Sequence, residues 1–182
     1  MVEKLKDEYN IELEWRPYYL RPDTPPEGLE LPDYIKRARG NGSEERLASM
    51  ARAYGMDFRS TERIYNTRLA HEATEYARER GKELEFHRVV FRKVYADGQD
   101  PSQWDTLRSA AEEVGLDADD MQQVVVSGHY TDFVAEQVRW AQQIGVSGVP
   151  TYVINDRYAI VGAQPYEVFK NALAQIMNQK PE

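Results

Sequence analysis

The 182-residue sequence contains no cysteine. A chain without cysteine forms no disulfide bond, offers no thiolate ligand to zinc and supplies no thiol nucleophile of its own. Paired acids such as Asp119 and Asp120 fall on a predicted exposed helix start, where solvation explains them better than acid–base chemistry. We therefore predict no catalytic residue within this chain.

Long hydrophobic runs are also missing. No apolar stretch approaches the roughly 20 residues that a bilayer-spanning helix needs. The opening residues, MVEKLKDEYN, lack the apolar segment of a secretory signal. These absences predict a cytoplasmic protein with no membrane partner.

The chain has fewer basic than acidic residues. The chain has 23 Lys and Arg against 31 Asp and Glu, which gives a net charge of −8 and an isoelectric point near 5.0. Because nucleic acids require a basic surface, we expect no nucleic-acid partner. The three histidines, His71, His87 and His129, show no paired spacing such as H-x-x-x-H, so we also expect no metal site.

The first strong pattern lies near the start of the chain. Ile11, Leu13 and Trp15 alternate with charged residues, which predicts a strand over 11–18 with one buried face. The segment RPDTPPEGLELPD that follows is rich in proline and reads as an ordered connection. With 41% hydrophobic residues, the chain is expected to form one compact unit with an insertion.

From Ser43 to Ile144, every segment has a helical pattern. Ser43 is predicted to cap a helix that ends at Gly55, and a second helix runs from about 67 to 80. Ser102 and Asp117 are predicted caps of two further helices. The predicted apolar stripes are Leu69, Ala70, Ala73 and Ala77; Phe86, Val89, Val90 and Val94; Leu107, Ala110, Ala111 and Val114; Met121, Val124 and Val125; and Phe133, Val134, Val138 (or Gln137), Ala141 and Ile144.

The stretch GVSGVPTYVINDRYAIVGAQP, residues 145–165, predicts a hairpin followed by a helix. TYVI and RYAIV flank Asn155–Asp156, a pair that tolerates positive φ in a two-residue turn. Pro165 is well placed as the first residue of the helix. On spacing alone, Val149–Pro150 is an ordinary trans peptide bond that enters a strand.

This stretch resembles the closing segment of the DsbA-like thioredoxin-fold family, most closely its FrnE-type branch. Three more motifs resemble that branch in the expected order: WRPYYLRPDTPPEG, NTRLAHEATEYARERGK and GLDADD. The branch is related to 2-hydroxychromene-2-carboxylate isomerase and kappa-class glutathione transferase. The resemblance implies an α/β thioredoxin-like fold, with 1–40 and 145–182 as the core and an inserted α-helical lobe over 41–144.

The resemblance also implies a binding site. Pro150 is expected in cis, with the backbone of Val149 pairing with a peptide or with a small-molecule thiol such as glutathione. Asn66 and His71 resemble residues that face the cleft in this branch, although a satisfied lobe histidine explains His71 about equally well. No cofactor other than glutathione is expected.

The chain departs from the family pattern at its start. FrnE-type proteins begin with a strand and a Cys-x-x-Cys turn, whereas VEKLKDEYN resembles the last turns of the helix that follows them. We therefore expect an N-terminally truncated fold, in which residues 11–18 either pair directly with the hairpin or leave a sheet edge for a homodimer. Two hypotheses remain: an incomplete thiol–disulfide oxidoreductase or isomerase, and a non-redox binder of peptide, glutathione or a small aromatic metabolite.

Overall fold

The computed structural model describes residues 2–53 and 55–178. Within them, helices greatly outnumber strands. In chain order the elements are α1 (Val2–Glu8), β1 (Leu29–Glu30), α2 (Asp33–Ala38), a π-helical turn (Arg39–Ser43), α3 (Glu44–Ala53), β2 (Arg63–Ile64), α4 (Arg68–Glu79), α5 (Glu83–Tyr95), α6 (Trp104–Glu113), α7 (Ala118–Val126), α8 (Thr131–Gln143), β3 (Thr151–Ile154), β4 (Tyr158–Val161) and α9 (Tyr166–Asn178).

The chain divides into two compact units. One is Arg21–Glu136, which we call the helical unit; the described residues on either side form the other, which we call the hairpin unit. The predicted lobe, 41–144, begins and ends later than the helical unit. Residues 21–40 are compact with the helical unit because β1 pairs antiparallel with β2. The predicted division into domains stays a prediction.

In the hairpin unit, one face of the β3–β4 hairpin packs on helices. Leu5 from α1 and Phe169 and Leu173 from α9 are buried there. Tyr152 contacts Phe169 edge to face, with ring centroids 4.7 Å apart. Ile160 packs on the same cluster from β4, as the alternation of strand side chains requires. The predicted hairpin and final helix are confirmed.

The strand that we predicted over residues 11–18 is wrong. Residues 10–19 are all described and belong to no helix or strand, and β3 has β4 as its only strand partner within the described chain. Ile11 packs on the cluster around Phe169, whereas Arg16 stacks over the Trp140 ring at 4.2 Å. Side chains of this segment thus contact two different environments, the Phe169 cluster and the Trp140 ring. A strand also requires a neighbouring backbone to pair with, and this segment has none among the described residues.

The alternative of direct pairing between 11–18 and the hairpin is therefore also wrong, because these residues form no ladder with β3 or β4. Self-association through the sheet edge stays a prediction.

Helices α4 to α7 enclose the core of the helical unit. The largest fully buried side chains of this cluster, Tyr76, Phe86, Leu107 and Met121, come from these four helices in turn. Phe86, Leu107 and Met121 lie on the apolar stripes that the sequence predicts, at helical spacing, whereas Tyr76 belongs to none of those stripes. Gly81 follows α4 with a positive φ of 66°, the conformation in which glycine commonly ends a helix, and the helix predicted over about 67–80 is confirmed.

Three predicted helix caps have different outcomes. Asp117 caps α7, because its side chain accepts from the amides of Asp119 and Asp120. Ser43 caps nothing: α2 continues through the π-helical turn into α3, and the Ser43 hydroxyl donates to the Ala38 carbonyl at 3.0 Å. The prediction that Ser102 caps α6 is also wrong. The N-cap residue is Gln103, since α6 begins at Trp104, and the Ser102 hydroxyl donates to the Asp100 carboxylate.

Among the described helices, none combines the length and the apolar character that crossing a membrane would require.

Candidate substrate-binding edge

The β3–β4 hairpin is the frame of the candidate site. Its register pairs Thr151 with Val161 and Val153 with Ala159. The turn holds three residues, 155–157, rather than the predicted two, and Asn155 and Asp156 adopt φ of 51° and 53°. The expected tolerance of positive φ at these two polar residues is confirmed.

The register shows which backbone groups of β3 face away from β4. The amide of Gly162 donates to the carbonyl of Pro150 at 2.7 Å, so this facing pair is a hydrogen-bonded one. Hydrogen-bonded and non-hydrogen-bonded pairs alternate along an antiparallel ladder. The next residues, Thr151 and Val153, therefore direct their amides and carbonyls away from β4, toward the outer edge of the hairpin.

The loop before β3 contains a cis peptide bond between Val149 and Pro150. The expectation of a trans bond from spacing alone is therefore wrong. Side chains hold the loop on both sides of this bond: the Thr151 hydroxyl donates to the Gly148 carbonyl at 2.7 Å, and the Tyr18 hydroxyl donates to the Val146 carbonyl at 2.9 Å. The backbone around Pro150 is thus fixed from two directions.

Val149 is an exposed apolar residue of this loop. Its side chain is 51% exposed, and in the part of the chain that the structure describes its amide and carbonyl have no hydrogen-bond partner. Together with the outward-facing groups of Thr151 and Val153, they form a row of backbone donors and acceptors that we call the open edge. Such a row is a template for another extended backbone.

A shallow groove lies on the face of the hairpin opposite α9. Its volume is about 250 Å³, and its lining includes the end of α8 and the residues of β3 and β4 that point away from the Phe169 cluster. Trp140, Ile144, Val153 and Val161 make the lining mainly apolar, and Arg157 adds a cation at the turn. An extended chain on the open edge would therefore meet apolar side chains on the face that the groove occupies.

Tyr152 is the titratable residue of β3. Burial raises the pKa of the Tyr152 phenol, which keeps that hydroxyl neutral at physiological pH. Within residues 2–53 and 55–178, no three acidic or histidine side chains come close enough to share a metal ion. The open edge offers backbone donors and acceptors, which suit the binding of an extended chain.

Asn66 and His71 both lie in the helical unit, at the start of α4. The Asn66 amide donates to the Thr24 carbonyl at 2.6 Å, and its carbonyl oxygen accepts from the Arg68 amide at 3.0 Å. Both ends of the Asn66 side chain thus bind the protein itself and hold the start of α4. The predicted substrate contacts of Asn66 and His71 stay predictions.

Reasoning from the sequence anticipated a free sheet edge and the backbone of Val149, but it missed the groove and the outward-facing backbone groups of Thr151 and Val153. The hairpin register contains the necessary signal, because strand parity separates Tyr152 from Thr151 and Val153. Parity does not show which strand edge lacks a partner, and the groove depends on the position of α8.

Residues 1–174 match the family of the DSBA-like thioredoxin domain. The chain belongs to this family. The predicted resemblance to the DsbA-like thioredoxin-fold family is thereby confirmed, as is the α/β thioredoxin-like fold. The assignment to the FrnE-type branch stays a prediction.

This DsbA-like chain is 29% identical to the uncharacterized protein YwbO of Bacillus subtilis (strain 168) over 174 residues, which cover 94% of the chain and 85% of YwbO. Among solved structures, it matches a probable DsbA oxidoreductase from Streptomyces coelicolor with a TM-score of 0.80 and 27% identity, over 92% of this chain and 76% of that one. A 2-hydroxychromene-2-carboxylate isomerase matches with a TM-score of 0.76 and 20% identity, over 97% and 86%. The latter shows a shared fold alone.

Proposed function

We propose that this DsbA-like chain is the substrate-docking part of a thiol–disulfide oxidoreductase or isomerase of the FrnE type. In this proposal an extended segment of a substrate protein binds along the open edge. The observation that carries the proposal is the unpaired backbone of Val149 beside the cis Pro150, in line with the outward-facing groups of Thr151 and Val153.

Backbone pairing suits such a substrate. A chain added to a strand edge is held by its amides and carbonyls, so many different sequences bind in the same way. The apolar groove on one face then favours substrates with hydrophobic side chains at alternate positions. Unfolded or partly folded proteins present such segments, whereas folded proteins have already paired most of their backbone.

The sulfur chemistry comes from elsewhere. Thiol–disulfide exchange requires a thiolate that attacks a disulfide sulfur, forms a mixed disulfide and expels a second thiolate. These 182 residues contain no cysteine. Any exchange at the open edge therefore uses the sulfurs of the substrate and of a cysteine-bearing segment or molecule beyond these residues.

Glutathione is the small-molecule thiol that we propose for the same edge. It is a short peptide, so its amide and carbonyl groups can pair with Val149 as a protein segment would. We also propose a cytoplasmic location, where glutathione is plentiful and thiols are kept reduced. Cell fractionation tests the location, and competition between glutathione and peptide tests the shared site.

A proline substitution on the outer edge tests the docking. Val153→Pro removes an outward-facing amide while the ladder to β4 keeps its bonds, and proline is tolerated at such edge positions. Ala159→Pro is the matched control, since Ala159 faces Val153 across the hairpin and directs its amide to the opposite edge. We expect Val153→Pro to weaken binding of a fluorescent carboxymethylated insulin B chain about tenfold or more, and Ala159→Pro to leave it unchanged.

Fluorescence polarisation measures the binding, and circular dichroism checks that both variants fold. Equal binding by the two proline variants would remove the open edge from the proposal. If the unaltered chain does not bind the insulin B chain either, peptide docking as a whole is refuted.

The redox role needs a separate assay. In dithiothreitol-dependent insulin reduction, the 182-residue chain is expected to add nothing to dithiothreitol alone. A polypeptide that joins the chain to an upstream Cys-x-x-Cys segment is expected to accelerate the reaction. If the joined polypeptide binds peptide but does not accelerate reduction, the chain is instead a non-redox binding protein for peptide, glutathione or a small aromatic metabolite.

A further inference from the structure

Helix α5 of the helical unit carries a row of aromatic rings on its outer face. His87 stacks on Phe91 with ring centroids 4.4 Å apart, and Phe91 contacts Tyr95 at 5.5 Å. Phe58, from the loop before β2, stacks on Tyr95 at 6.0 Å and extends the row. We call these four residues the aromatic ridge. With Phe91 51% exposed, the ridge is an apolar surface on a helix whose other side is already buried in the core.

A second uncovered apolar face lies on α3 of the same unit. This helix is described over its whole length and has no buried residue. Leu47 and Met50, three residues apart on one side of it, are 50% and 55% exposed. In the folded chain, the aromatic ridge therefore does not cover these side chains. A helix in water gains most of its stability from packing an apolar face, and the exposure of Leu47 and Met50 shows that the described residues leave this face of α3 largely uncovered.

The two faces match in size and chemistry. α3 has ten residues and is about 15 Å long, and the ridge on α5, with Leu84 at its first turn, spans about 16 Å. Methionine is flexible and makes favourable sulfur–aromatic contacts, so Met50 suits a surface of aromatic rings. A side-by-side contact would cover both faces along their full lengths.

Charge complementarity sets the direction of this contact. α3 has Glu44 and Glu45 in its first turn and Arg52 in its last. α5 likewise begins with acidic residues, among them Glu85, and has Arg92 in its last turn. An antiparallel contact places the acidic end of each helix beside the basic end of the other, which also opposes the two helix dipoles favourably.

We propose that two copies of this chain pair through their helical units, with α3 of each copy lying antiparallel on the aromatic ridge of the other. The contact occurs twice in a twofold-symmetric dimer, because each copy supplies one helix and one ridge. This surface lies in the helical unit, whereas the open edge belongs to the hairpin unit, so the inference goes beyond the proposed function.

Sedimentation velocity between 1 and 100 µM tests the pairing. The unaltered chain is expected to be a dimer, while Phe91→Glu and Leu47→Glu are each expected to raise the dissociation constant at least about 30-fold. Val126→Glu is the matched control, because Val126 is 66% exposed elsewhere in the helical unit. A monomer throughout this range, or equal weakening by Val126→Glu, would overturn the proposal. A dimer that responds only to Val153→Pro would place the interface at the sheet edge.

Mixing the two glutamate variants gives a sharper test. Neither variant alone retains an intact contact, but a mixed dimer retains one, between α3 of the Phe91→Glu chain and the ridge of the Leu47→Glu chain. We therefore expect dimer to reappear on mixing. If the two aromatic ridges contacted each other instead, mixing would restore no dimer. Failure of the mixture to dimerise would therefore refute the pairing of α3 with the ridge.

The absence of native cysteine permits a direct check by cross-linking. Met50→Cys and His87→Cys, made in separate chains and mixed, are expected to form a disulfide-linked mixed dimer in excess of either homodimer. In one doubly substituted chain, a cross-link that forms at the same rate at all concentrations, with no dimer, would mean that α3 folds onto its own α5 and would overturn the proposal.

Discussion

Removal of Arg68 should destabilise the helical unit far more than its exposed position suggests. Arg68 is 52% exposed, but its partner Glu72 has a side chain only 1% exposed. The guanidinium lies 3.1 Å from one carboxylate oxygen of Glu72, and the Thr131 hydroxyl donates to that oxygen at 3.0 Å. Arg68→Ala leaves a buried carboxylate with Thr131 as its remaining hydrogen-bond donor among the described residues.

The magnitude follows from this asymmetry. Removing one partner of a fully buried ion pair costs about 3–5 kcal/mol, and the free energy of unfolding should fall by somewhat less here, about 2–3 kcal/mol, because water already reaches Arg68. Glu72→Gln keeps an acceptor for Thr131 without a charge to bury, so we expect a loss of about 1 kcal/mol. The double variant should lose much less than the sum of the two, with a coupling of about 1–2 kcal/mol.

Urea unfolding followed by far-UV circular dichroism measures these differences. The control is Arg92→Ala, since Arg92 pairs with Glu113 at 2.7 Å on the surface, where both side chains are about half exposed. Its effect should stay below about 1 kcal/mol. If Arg68→Ala also costs less than about 1 kcal/mol, or if the Arg68 and Glu72 effects add, the carboxylate does not depend on Arg68 and the reasoning fails.

Three further changes test other parts of the molecule. Tyr76→Phe removes the 2.6 Å bond to Asp120 and should reduce the free energy of unfolding by about 1 kcal/mol, measured in urea; an unchanged midpoint would contradict it. Burial lowers the pKa of His87 despite an opposing effect of Glu83, so the unfolded chain binds more protons below about pH 6.5 and stability should fall from pH 7.5 to 5. His87→Phe should reduce this fall in the free energy of unfolding. Equal falls in the variant and the unaltered chain would contradict the prediction. Phe169→Ala should lower the stability of the hairpin unit by about 3–4 kcal/mol, measured as faster hydrogen exchange at the β3 and β4 amides. Unchanged protection of these amides would contradict this prediction.

The helices could be predicted well because their signals are local. Phe86, Leu107 and Met121 lie on apolar stripes whose spacing follows from helix geometry, and all three are buried. Asp117 caps α7 through atoms two and three residues away, so sequence neighbours suffice to predict it. Ser43 has an equally suitable side chain, but it caps no helix because the helical backbone runs from α2 through the π-helical turn into α3. No local signal in the sequence shows that the preceding helix continues.

The sheet could not be predicted to the same degree because pairing is not local. Ile11 and Leu13 alternate as in a strand, but only the rest of the fold determines whether a neighbouring backbone lies beside them. The candidate site shows the same limit. The residues Val149 and Pro150 were identified by family resemblance, and the outward direction of the Thr151 and Val153 backbones required the register of the hairpin.

The shortness of β3 sets how long a bound chain would stay. Four residues give only two outward-facing positions, Thr151 and Val153, and Val149 adds a third. A backbone hydrogen bond contributes about 0.5–1.5 kcal/mol net in water, and association itself opposes that gain. A chain held by so few bonds dissociates quickly, because differences in affinity act mainly through the rate of dissociation. If chains dock at this edge as proposed, the dwell time of each segment is expected to be brief, so one molecule would sample many chains in succession.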